Sequence, residues 1–113
     1  MVDLVIGRAN SIAAAAGDAL VLPGIGNTLV IASDGSVAAS APGGAAIRLP
    51  DGQSSVTVEG AVTAVLGTGI ASGSVGAAAT AGGSRLTIQA TGSIEAGGFA
   101  IEAHSGGTLL RNA

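Results

Sequence analysis

Two stretches of this chain carry the same phrase. LVIASDGSVAA begins at Leu29 and LTIQATGSIEA at Leu86. Each has two aliphatics spaced by two, a polar trio, Gly-Ser, a third aliphatic and an Ala two places later. Related phrases, LVIGRANSIAA and VTVEGAVTA, begin at Leu4 and Val56, and a fifth copy starts at Leu109, so the offsets are 25, 27, 30 and 23 residues. A repeat of 20 to 50 residues is about the size of one supersecondary unit, which cannot bury its own apolar face and must stack on its neighbours. That requirement restricts the fold more than any single motif in the chain.

Aligned on the phrase, the units give phased columns. The first strand contributes Leu4, Leu29, Val56 and Leu86, then Ile6, Ile31, Val58 and Ile88. The second contributes Ile12, Val37, Val62 and Ile94, with Ala14, Ala39, Ala64 and Ala96 two residues on. A third contributes Leu20, Ile47, Ile70 and Ile101. A spacing of two within a strand puts both residues on one face. Val, Ile and Leu suit a pleated, half-buried surface.

Three further columns mark corners: Asn10, Gly35, Gly60, Gly92; then Gly17, Gly44, Gly67, Gly98; then Gly26, Gln53, Gly83, Gly106. Exchange of Gly for Asn in the first of these points to a left-handed backbone position, which those two residues tolerate best. The expected fold is therefore all-β: a single-stranded parallel β-solenoid of about four three-sided coils. The coils start near residues 4, 29, 56 and 86, with a partial coil from 109, in one domain spanning 1–113. Parallel crossovers favour the right-handed form. The long step between Ile70 and Leu86 predicts a loop insertion at about 72–83. Ala64 is expected to line a tight interior corner, and Ala71 to face outward with room for a larger side chain.

Composition narrows the function classes. Phe99 is the only aromatic residue and Cys is absent. Disulfides and thiolate metal sites are excluded. The net charge is −3, and the four arginines, Arg8, Arg48, Arg85 and Arg111, are scattered. Neither a basic cluster nor stacking aromatics are present to bind nucleic acid. MVDLVIGRAN lacks the form of a signal peptide, although a piece of a longer secreted chain would read the same way. No apolar run is long enough for a membrane-spanning helix.

Lines such as GNTLVIASDGSVAASAPGGAAIRLPDGQSSV, and the closing GGFAIEAHSGGTLLRNA, resemble the β-helical repeats of bacterial autotransporter and haemagglutinin-like surface proteins. VTVEGAVTA is similar in style to the bactofilins, polymerising cytoskeletal β-helices, although the coils here are longer. The first resemblance implies a structural or adhesive segment of an extracellular or cell-surface rod. The second implies a scaffold that stacks end to end, with a cytoplasmic location.

Enzymatic chemistry finds little footing. Carbohydrate cleavage on such a fold needs a carboxylate pair, whereas Asp3, Asp18, Asp34, Asp51, Glu59, Glu95 and Glu102 fall at unrelated phases of the repeat. GGSRLTIQA and GGFAIEAHS lack the Asp of the calcium-binding nonapeptide. His104 is the only His and cannot alone make a zinc site. The outward second-strand positions, Ser11/Ala13, Ser36/Ala38, Ala61/Thr63 and Ser93/Glu95, form no Thr array of the kind that binds ice. No catalytic, metal or cofactor-binding residue is predicted, and no cofactor.

The predicted contact surface is for self-association. Outward first-strand positions read Val5, Val30, Thr57 and Thr87, and Val21 extends the surface from the third strand. No cap is legible before the first strand, so its edge is expected to be open. Arg111, placed in the column of Ile6 and Ile31, is expected to interrupt the fifth strand and direct contact to the opposite end. The expected partner is a second copy or a continuation of the solenoid. No host receptor or glycan is identified.

Overall fold

The computed structural model describes residues 3–23, 26–50, 54–72, 85–98, 100–103 and 109–112. The first coil contains β1 (Asp3–Ile6), β2 (Ile12–Ala14) and β3 (Leu20–Val21). The second contains β4 (Thr28–Ile31), β5 (Ser36–Ala39) and β6 (Ala45–Leu49). The third contains β7 (Ser55–Val58), β8 (Ala61–Ala64) and β9 (Thr68–Ser72). The fourth contains β10 (Arg85–Ile88), β11 (Ser93–Ala96) and β12 (Ile101–Ala103), and β13 (Leu109–Asn112) opens a fifth. A single 3₁₀ turn, Arg8–Asn10, is the helical element among the described residues.

Equivalent strands stack into three parallel sheets. The first runs β1-β4-β7-β10-β13, the second β2-β5-β8-β11 and the third β3-β6-β9-β12. The registers reproduce the sequence columns: Leu4 pairs with Leu29, Val37 with Val62, and Ile47 with Ile70. Each coil thus lies about 4.8 Å above the last, joined through backbone hydrogen bonds. The fold is a parallel β-solenoid.

The core is the stack of inward columns. Leu29, Ile31, Val37, Ile47, Val58, Val62 and Ile70 are fully buried. Of their counterparts in the end coils, Leu4, Ile12, Leu20, Ile88, Ile94 and Ile101 are only partly covered, whereas Ile6 and Leu86 stay buried. A column is shielded by the coils above and below it, so its terminal members lose one of the two. Ala39 and Ala64 are buried in the corner column, as their size requires.

Four expectations need correction. The first-corner glycines are not left-handed. Among the described residues the glycines with positive φ are Gly17 (69°), Gly26 (76°) and Gly43 (74°). Gly35, Gly60 and Gly92 are selected by close approach instead: a Cβ would run into the Ile6 carbonyl at Gly35, the Ala32 and Gly35 carbonyls at Gly60, and the Val58 carbonyl at Gly92. Each of these carbonyls belongs to the coil beneath or to its corner. The column therefore demands glycine wherever another coil lies under it. Within the second-corner column only Gly17 is left-handed, and a Cβ on Gly44 or Gly67 would meet the glycine below.

Secondly, Arg111 does not occupy the Ile6 column. β13 pairs Leu110 with Leu86 and Arg111 with Thr87, which puts Arg111 in the Val5 column. A one-residue shift exchanges the two faces of a strand. This register continues the leucine column and puts Asn112, not Arg111, in register with Ile88. Thirdly, Ala71 is buried, at 1% exposure, despite its outward phase. Its ladder neighbours are Arg48 and Glu102, whose longer side chains flank it. The fourth correction concerns the first-strand edge and is given below. Most of the expected loop insertion, together with Asp51, Gln53, Gly83, Phe99, His104 and Gly106, lies outside the described residues.

Candidate interaction surfaces

The outward side of the first sheet is a ladder of Val5, Val30, Thr57 and Thr87, in register from coil to coil. Strand alternation places them there, because Leu4 and Ile6 on either side of Val5 take the inward columns. Val5 is 59% exposed, and Val30, Thr57 and Thr87 are half-buried. These residues are short and β-branched, so the face is flat. Val21 is also exposed but pairs with Arg48 on the third sheet, and so belongs to a different face.

That third face is charged. Arg48 on β6 reaches down to Asp18 at the corner before β3, with Nε donating to Oδ2 at 2.7 Å and Nη2 to Oδ1 at 3.3 Å. Asp18 Oδ1 also accepts the Ala45 N–H at 2.8 Å. The hydrogen bond from Arg48 holds the Asp18 carboxyl below its ordinary pKa, against partial burial, with the Ala45 N–H and the guanidinium charge assisting. Arg48 is raised in turn, chiefly by the same hydrogen bond and with a smaller contribution from Glu102.

A third surface was not legible in the sequence reading. Val65 and Leu66, at the corner between β8 and β9, are 56% and 57% exposed. Val65 forms one wall of two shallow hollows on the second sheet. One is floored by Ala13, Ala38 and Ala39, and the other by Thr63, Glu95 and Ala96. The available signal was two consecutive large aliphatics where other coils place Ala15-Ala16, Ser40-Ala41 or Gly97-Gly98.

The end of the β1 edge next to the first corner is covered by its own chain, which corrects in part the expectation of an open edge. Asn10 Oδ1 accepts the Gly7 N–H at 2.7 Å and Asn10 Nδ2 donates to the Val5 carbonyl at 2.8 Å. Asn10 shares its column with Gly35 and Gly60, but among the described residues no corner beneath it confines its Cβ.

Among the described residues, no three His, Asp or Glu side chains gather as a metal-ligand group. No described helix is long and apolar enough to cross a membrane. No family model, curated protein or solved structure matches the chain. The β-helical architecture implied by the two resemblances is present, whereas neither family identity finds support in these comparisons.

Proposed function

We propose that this chain is a non-enzymatic structural and adhesive module, a segment of a larger β-helical rod on a bacterial surface or in a secreted protein. The observation that carries the reading is the unbroken parallel sheet from β1 to β13, with a flat Val/Thr ladder along its outer side from β1 to β10. A ladder that repeats over four coils, before Arg111 takes its column on β13, offers short side chains at a fixed interval, a geometry suited to lateral contact with a second copy or with an extended ligand.

The alternative is a cytoplasmic scaffold stacking end to end. It is favoured by β11, β12 and β13, each of which pairs on one side only among the described residues. The Asn10 contacts on the β1 edge weigh against it.

Labelling intact and permeabilised source cells with an antibody to this chain tests the location. Surface labelling on intact cells is expected. Labelling confined to permeabilised cells would reject the surface reading and favour the scaffold.

A further inference from the structure

In the first sheet a backbone pattern repeats at each step between coils. Ala32 N–H donates to the Ile6 carbonyl at 2.8 Å, Glu59 N–H to Ile31 at 2.8 Å and Gln89 N–H to Val58 at 2.9 Å. Alternate residues of a parallel strand direct both N–H and C=O to the same neighbour. Thr28, Val30 and Ala32 therefore face the first coil. Their register partners Asp3 and Val5, and Gly7 in the next equivalent place, face away from β4, toward the side where no described strand pairs. A strand added there would use its residue in the Ile6 column twice, its carbonyl accepting from Gly7 N–H and its N–H donating to the Val5 carbonyl.

Asn10 makes both of those bonds with its side chain. Its carboxamide supplies one acceptor to Gly7 N–H and one donor to Val5 C=O. It thus takes the place of the N–H and C=O of a single residue of an added coil. The neighbouring backbone is adapted to the same end. Ala61 N–H and Ser93 N–H reach the first-corner carbonyls of Gly35 and Gly60 below them, at 3.2 and 2.9 Å. Ser36 N–H instead reaches Ser11 Oγ at 3.1 Å, and that hydroxyl donates to the Gly7 carbonyl at 3.0 Å. The 3₁₀ turn at Arg8–Asn10 brings Asn10 back over the edge, and Ser11 restores the bond to the second coil.

We infer that Asn10 is a side-chain cap on the first-corner end of the β1 edge that opposes strand addition by a second copy of this chain. A second copy is the occupant this end fits, because every coil repeats the columns whose first members, Leu4, Ile12 and Leu20, are only partly covered here. The amide groups and the partly covered core would both be completed by one more coil of the same kind. Glycine in this column permits a coil beneath, as at Gly35, Gly60 and Gly92, whereas Asn10 occupies the bonds that coil would need. The inference rests on the ladder alone and not on the adhesive or scaffold reading.

Sedimentation velocity over a concentration series tests it, using the wild type, Asn10→Ala and Asn10→Gly, each also combined with Val30→Lys to weaken lateral contact. Both Asn10 variants free the Gly7 N–H and Val5 C=O, and the glycine also removes the Cβ. The expected result is association about tenfold tighter or more than wild type in both variants, strongest for Asn10→Gly, and retained with Val30→Lys. Folded variants that sediment as the wild type does would overturn the inference. Amide exchange in dilute wild type gives an independent reading, with the Gly7 amide expected to be protected. Exchange of that amide at the rate of an exposed loop would also overturn it, even if neither variant folds.

Discussion

Asp18 and Arg48 are thirty residues apart and join two coils: Arg48 Nε lies 2.7 Å from Asp18 Oδ2, and the same carboxylate takes the Ala45 N–H of β6. One side chain thus fixes both the backbone and a side chain of the coil above. The pair is partly exposed, with Arg48 at 36% and Asp18 at 23%. Solvent screening limits such a pair to about 0.5–1 kcal/mol.

The pH dependence follows from the lowered pKa of Asp18. A carboxylate with a depressed folded pKa stabilises the protein above its unfolded pKa, and that stability is lost as pH falls through the folded value. The wild type should therefore melt higher than Asp18→Asn from about pH 5 to 7, and the difference should begin to shrink near about pH 4 and vanish only once the pH has fallen through the lowered folded value. Thermal unfolding of both proteins across that range checks this. A gap that persists unchanged at low pH would remove Asp18 as its source.

Gly60→Ala should be more damaging than Gly43→Ala. A Cβ at Gly60 meets two backbone carbonyls that cannot move independently, whereas Gly43 has positive φ with open space around it. The first change should cost at the upper end of the roughly 1–3 kcal/mol seen for overpacking. The second should cost about 1 kcal/mol for the left-handed backbone. Denaturant midpoints in the reverse order would show that conformation, rather than coil spacing, selects the first-corner glycines.

Ala64→Leu should destabilise by roughly 1–3 kcal/mol, because Ala64 is fully buried in an interior corner. Ala71→Leu should cost less and act differently. Ala71 lies on the outer ladder between Arg48 and Glu102, so the added bulk displaces long side chains rather than packed core. Its effect should shrink when Asp18 is already Asn, since the two changes share Arg48. A double-mutant cycle measures this, and strict additivity would separate Ala71 from the pair.

Val5→Lys with Val30→Lys should weaken lateral self-association without loss of fold. Both sites are outward on the first sheet, and the inward Leu4, Leu29, Ile6 and Ile31 are untouched. Light scattering at high concentration should show a smaller mean mass for the double variant, with unchanged circular dichroism. Equal masses at every concentration would eliminate this flank as the contact.

The sequence alone determined the coil. Two-residue spacing sets the face of a strand locally, so Leu29, Ile31, Val37 and Ile47 could be placed inward without knowing what covered them. The phase of the columns likewise set which strands pair. The tertiary structure decided everything that depends on which coil lies beneath a residue. Gly35 and Asn10 share one column, yet one admits a carbonyl from below and the other caps an edge where no carbonyl arrives. Ala71 is outward by phase and buried by its neighbours Arg48 and Glu102. Leu110, rather than Leu109, continues the leucine column, because adjacent phases in a short strand differ only in what they stack upon. Such contacts join residues about one coil apart, where loop length varies, and the pattern along the chain does not encode them.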